Sequence, residues 1–237
     1  MRKIAIFSEG QTEQLFAVDL IKTIAREKKL LLKKERAYGG RRFPTIWMQI
    51  DADEGDQAEC DFYFLLVDCA SDSRVVTAIN ERYDGLVAQG FETIIGIRDL
   101  RPDFGRDELQ KVLSGAHRVL RNDKVLPLLV IATMETEAWI ISENDHFTKL
   151  NATLTKETIL DQTGIDISGN SEDIEVPADS LNEMYEIAGL SYSKSRSDVI
   201  RTLEAVDMSA YARPEVIARA PSLQPLLHRL TQVLSEA

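Results

Sequence analysis

Acidic residues stand at the ends of the main apolar runs of this chain, in positions that could gather a metal ion. IAIF runs into Glu9, FYFLLV into Asp68 with Asp72 close behind, TIIGI into Arg98 and Asp99 with Asp103 further on, and LLVIAT into Glu135 and Glu137. If these runs are parallel strands, their carboxyl ends share one sheet edge, where α/β proteins collect binding residues. Carboxylates crowded at such an edge repel one another in a lowered dielectric unless cations bind or some groups protonate. Hard oxygen donors suit Mg²⁺, which bridges protein carboxylates to substrate phosphates. Acids near strand ends can also cap the following helix, and for Asp72 and Asp107 capping is the better reading. Glutamate is a poor cap, so Glu9 is the stronger candidate for chemistry. Glu13, one turn into the next element, can support the site or complement the helix dipole, and the dipole is favoured.

The elements that must position these residues alternate in type. KIAIF reads as a strand, SEGQ as a turn and TEQLFAVDLIKTIAREKKL as a helix by its apolar spacing. A basic loop with Gly39 and Gly40 leads to TIWMQID, a short strand, and DADEGDQAE is an acidic connector. DFYFLLVD is a continuous apolar run of the kind buried on both faces of a parallel sheet, and RVVTAINERYDGLVAQG follows as a helix ending at Gly90. ETIIGIRD, GRDELQKVLSGAHRVLR and KVLPLLVIAT repeat the alternation, which predicts an α/β fold with an open, mostly parallel, Rossmann-like sheet flanked by helices. Beyond residue 150 strand signals fade. TLTKETILDQTGI, DSLNEMYEIAGL, SRSDVIRTLEAVDM and SLQPLLHRLTQVLSEA read as helices, with ARPEVIARAP turn-like between the last two. The expected organisation is a catalytic domain over 1–150 and a helical C-terminal extension over 151–237.

Composition narrows the class. A chain of 237 residues with 44% apolar content can bury a core, which excludes wholesale disorder. No apolar run approaches the roughly 20 residues needed to span a bilayer, and MRKIAIFSEG lacks a signal peptide's pattern. Cys60 and Cys69 have no CxxC spacing, so a reducing cytoplasm without membrane attachment is expected. The net charge of −11 opposes nucleic-acid binding as a sum, but its distribution does not. Between Lys22 and Arg42 stand nine basic residues, and Lys33, Lys34, Arg36, Arg41 and Arg42 are candidates for holding phosphates. A solvated helix face and loop is the equal alternative. There is no GxxxxGK[ST] loop, no GxSxG elbow and no HExxH among His117, His146 and His228, which argues against a nucleotide hydrolase, a serine hydrolase and a zinc peptidase.

SEGQTEQLF, with Glu9, Gly10, Thr12 and Glu13, resembles the EGxTE opening of Toprim domains, especially those of OLD nucleases and of small Toprim-like effectors from phage-defence cassettes. In that family the first strand supplies a catalytic glutamate and a later strand an aspartate pair spaced DxD. The resemblance puts Glu9 in the first role and Asp99, after the third core strand, in the second. Arg101 stands where the second aspartate belongs, so either Asp103 replaces that ligand or fewer metals bind. METEAW is similar to an acidic-aromatic stretch after the last core strand in the defence-associated proteins, which implies Glu137 as a further ligand, with Glu135 the alternate and Trp139 in the core. SYSKSRSD and RAPSLQPLL are also similar to those proteins, implying that Lys194 approaches the centre; an exposed loop lysine is the competing reading.

The resemblance implies phosphodiester hydrolysis of tRNA or DNA assisted by Mg²⁺ or Mn²⁺. Glu9 would bind metal or act as base, Asp99 and Asp103 would ligate, Glu137 would complete the shell, and Lys194 or Arg101 would offset developing charge. It further implies a toxic effector of an anti-phage abortive-infection system, controlled by an ATPase partner, and leaves a homodimer open. The competing expectations are a non-catalytic Toprim-like subunit that binds a partner or nucleic acid, and a small-molecule phosphotransferase or phosphatase on a related sheet.

Overall fold

The computed structural model describes residues 1–40, 43–71 and 74–235. Six strands form one open sheet in the order β3-β2-β4-β1-β5-β6. They are β1 (Arg2–Ser8), β2 (Leu30–Tyr38), β3 (Ile46–Ala52), β4 (Phe62–Asp68), β5 (Thr93–Asp99) and β6 (Leu128–Ala132). Every neighbouring pair is parallel except β2 with β3, which is antiparallel and carries the exposed edge. The expected α/β architecture, with a mostly parallel sheet and a helical C-terminal region, is therefore present.

The alternation of side chains along the central strands sorts them into two cores. Ile4 and Ile6 of β1 and Phe62, Phe64 and Leu66 of β4 face one layer, while Ala5, Phe7, Leu65 and Val67 face the other. Both faces are covered, which is why these strands read as unbroken apolar runs. The second layer contains α2 (Val75–Ala88) and α3 (Leu109–Val119). Gly96 lets α2 approach β5, since a Cβ there would lie 3.0 Å from side-chain carbons of Val75, Ile79 and Leu129.

The first layer joins α1 (Gln11–Ala25) and α4 (Glu137–Ser142) to the helices that follow: α5 (His146–Leu150), α6 (Lys156–Thr163), α7 (Pro177–Glu186), α8 (Arg196–Ala205), α9 (Pro214–Arg219) and α10 (Gln224–Ser235). One continuous apolar cluster runs from Phe16 on α1 through Trp139 to Tyr185, Tyr211 and Leu230. Trp139 is buried as expected, with its ring 5.6 Å from Phe16 and its indole N–H donating to Ser222 Oγ at 2.8 Å. Among the described residues no helix is long and apolar enough to cross a membrane.

Two local expectations are corrected. The stretch LLLKKERAY, assigned to a helix tail and basic loop, is strand β2. Its charges are met sideways: Lys33 by Glu35 at 2.8 Å, Lys34 by Asp51 at 2.8 Å, and Glu35 also by Arg82 at 2.6 Å. ARPEVIARAP, assigned as a turn, contains α9, which starts at Pro214 because proline suits the first helical position. Arg41 and Arg42 lie outside the described residues, as does Asp72.

Because one core serves the sheet and the C-terminal helices, chemical unfolding should follow a single transition by tryptophan fluorescence and circular dichroism alike. Trp139→Ala should lower the unfolding free energy by about 3–5 kcal/mol without splitting that transition.

Candidate functional site

The parallel register brings the strand ends level. Ser8 pairs with Asp68 on one side and Ile97 on the other, and Arg36 pairs with Asp68 one strand further out. Just beyond this line lies a cavity of about 280 Å³, lined by the start of α1, by Glu9, Glu13, Asp68 and Asp99, and by two cations, Arg36 and Lys194. Glu9 and Asp99, far apart in sequence, meet directly: the Asp99 backbone N–H donates to Glu9 Oε2 at 2.9 Å. The Glu9 backbone N–H donates in turn to the Ile97 carbonyl at 3.2 Å, which fixes the turn between β1 and α1 against β5.

Asp99 is buried, and its Oδ1 accepts from both the backbone N–H and the hydroxyl of Thr136, at 2.9 and 2.8 Å. Burial, reinforced by Glu13 and Glu137, raises its pKa well above the usual carboxylate range, against the opposing pull of Lys194 and Thr136. Glu13, expected to complement the helix dipole, is also buried and accepts from the Gly10 backbone N–H at 2.8 Å at the start of α1. It lines the cavity as well, where burial and then Glu137 push its pKa up to about 7. Asp68 accepts from the Ala70 N–H at 2.8 Å and faces Arg36 Nε at 3.3 Å, yet burial still raises its pKa.

Lys194 reaches the cavity from the loop between α7 and α8 and keeps 41% of its side chain exposed. Its ammonium lies 3.1 Å from Glu137 and 3.6 Å from Glu135. Burial works against its charge, but Glu137, Asp99 and Glu135 outweigh burial and hold it above the usual lysine range. Glu137 is fully buried, accepts from the Tyr192 hydroxyl at 2.8 Å and does not line the cavity, whereas Glu135 also accepts from the Ala178 N–H at 2.8 Å. The acidic METEAW segment thus anchors the lysine. Asp103 is half-exposed outside the cavity, 3.8 Å from the guanidinium of Arg98. Arg101 donates its backbone N–H to the Met134 carbonyl at 2.9 Å and does not line the cavity.

Of the expected site residues, the cavity unites Glu9, Asp99, Lys194 and Arg36; Asp103, Glu137, Lys33 and Lys34 do not line it. Glu13 and Asp68 line it as well. In the sequence Asp68 stands as an acid at a strand end and Glu13 as part of SEGQTEQLF. Two of the four non-glycine residues with positive φ among the described residues line this cavity: Ala70 at 59° and Lys194 at 57°. Such backbone costs about 1–3 kcal/mol per residue and gathers where surrounding structure enforces a site.

The donor set is all carboxylate, which fits a hard divalent cation. Among the described residues, however, no three Asp, Glu, His or Cys side chains are grouped closely enough to hold an ion as they stand. Comparison with protein-family models, with curated proteins and with solved structures yields no match.

The raised pKa of Glu13 has a defined consequence for stability. A carboxyl with a higher pKa folded than unfolded binds protons preferentially in the native state, so its contribution is complete below about 4.5 and disappears as pH rises through about 7. Melting curves across that window should show wild type losing stability toward alkaline pH. Glu13→Gln, which cannot ionise, should flatten that decline; an unchanged slope would show that Glu13 does not titrate there.

Proposed function

We propose that this chain is a nuclease with a Toprim-like core, hydrolysing phosphodiester bonds of nucleic acid with Mg²⁺ or Mn²⁺. The observation that carries the reading is the meeting of Glu9 and Asp99 on adjacent parallel strands at one acidic cavity. It is the pairing that the EGxTE opening and the aspartate after the third core strand would require. Glu9 and Asp99 would hold the ion, whose chemistry is to polarise the phosphate and make water nucleophilic near neutral pH. Glu13, with its pKa near neutrality, suits the removal of a proton from attacking water. Lys194, fixed by Glu137 and Glu135, would offset charge developing on the phosphate oxygens. Glu137 acts through that lysine in this scheme, and Asp103 has no part in it.

The similarity of SEGQTE and METEAW to defence-cassette effectors supports tRNA as the substrate over duplex DNA, and an ATPase partner that restrains the activity. A second reading, a non-catalytic subunit that binds a partner or nucleic acid, draws on two observations. Arg101 occupies the place of the second aspartate, and no three ligand side chains are grouped.

Cleavage of tRNA and of DNA by wild type, Glu9→Gln and Asp99→Asn, with Mg²⁺ or Mn²⁺ and with or without an ATPase encoded beside it, separates the readings. The nuclease reading expects metal-dependent cleavage that falls on the order of 100-fold or more in each variant. Cleavage retained in both variants contradicts it, and metal-independent binding without cleavage under every condition supports the second reading.

A further inference from the structure

The basic stretch of β2 was expected to hold phosphates collectively, but its side chains divide. Lys33 turns to Glu35 and Lys34 to Asp51, both away from the cavity, and only Arg36 of the three lines it. Its placement is built from the sheet. Arg36 pairs in register with Asp68, the last residue of β4, and Asp68 is buried and fixed by the Ala70 N–H at 2.8 Å. Arg36 Nε lies 3.3 Å from the Asp68 carboxylate as an ion pair, while the Arg36 side chain keeps 46% of its surface exposed. Among the described residues the Arg36 guanidinium donates no hydrogen bond, so its N–H groups stay open to a ligand.

We infer that Arg36 is the phosphate anchor of this site, held in position by Asp68, and that it grips one phosphate group of the substrate across the cavity from Lys194. A guanidinium offers two parallel N–H donors that match phosphate oxygens, and a charge fixed on a buried partner needs little reordering to bind. The first turn of α1, a helix of 15 residues, brings the backbone of Gly10, Gln11 and Thr12 to the same cavity and adds its positive end to the field felt there. Asp68 is a positioning residue: it orients Arg36 and does not itself meet the phosphate. The identity of the full substrate rests on the nuclease reading, but the anchor can be tested by binding alone.

Isothermal titration with AMP and with adenosine, in buffer containing Mg²⁺, isolates the phosphate's share of binding. Wild type should bind AMP in preference to adenosine. Arg36→Ala should weaken AMP by about 10-fold to 100-fold and leave adenosine unchanged, and Arg36→Lys should restore only part of the loss. Lys111→Ala, a remote exposed charge paired with Glu108, should bind AMP as wild type does. Asp68→Asn keeps an oxygen for the Ala70 N–H but loses its charge, so it should weaken AMP when Arg36 is present and not when Arg36 is alanine. Equal weakening in both backgrounds would overturn the positioning role. AMP binding that is absent, no tighter than adenosine, or indifferent to Arg36 would overturn the anchor. Cleavage that depends on Glu9 while AMP binding ignores Arg36 would remove the anchor and leave the nuclease standing. AMP binding that depends on Arg36, with no cleavage under any condition, would do the reverse.

Discussion

The structure gathers more negative than positive charge at one sheet edge and then removes water from much of it. Glu13, Asp68 and Asp99 are buried within the same small region, with Glu137 behind them, and among the described residues the cations that line the cavity are Lys194 and Arg36. Parallel register makes this unavoidable, because strands that start together also end together, and each of β1, β4 and β5 delivers an acid at its end. An arrangement that raises carboxyl pKa values costs native stability at neutral pH. Its persistence in a well-packed fold is the physical reason for reading the cavity as a cation and phosphate site.

The C-terminal helices matter to that electrostatic balance as much as the strands do. They cover the α1 face of the sheet with one continuous core and, between α7 and α8, return Lys194 to the cavity. The lysine adopts a positive φ, and its ammonium is held by two glutamates from the segment after β6. Tyr192, two residues earlier, bonds the same Glu137 from the other side. The acids after β6 and the loop before α8 are therefore one unit, with the buried carboxylate as its centre.

Much of this was legible in the sequence because buried parallel strands leave continuous apolar runs, as β1, β4, β5 and β6 do. β2 was hidden by its own charges: KKER reads as surface until Asp51 and Arg82 are known to lie beside it. α9 was hidden by prolines that resemble turn signals but start helices equally well. At the site, Glu9 and Asp99 could be named because strand ends and a motif pointed to them, and Lys194 through the similarity of SYSKSRSD alone. Asp103 and Glu137 could not be placed, because side-chain direction after a strand depends on the turn. Asp103 turns toward Arg98 and Glu137 toward Tyr192 and Lys194. Glu13 reads as a partner of the helix dipole, and its burial beside Glu137 and Lys194 brings it into the electrostatics of the site.

The proposed function requires a divalent cation shared by Glu9 and Asp99. Anomalous scattering from crystals soaked in Mn²⁺ tests it most directly. A shared cation should give a peak in the cavity within coordination distance of Glu9 and Asp99, lost in Asp99→Asn crystals. A cavity that stays free of Mn²⁺, or a peak that persists unchanged without the Asp99 carboxylate, would contradict it.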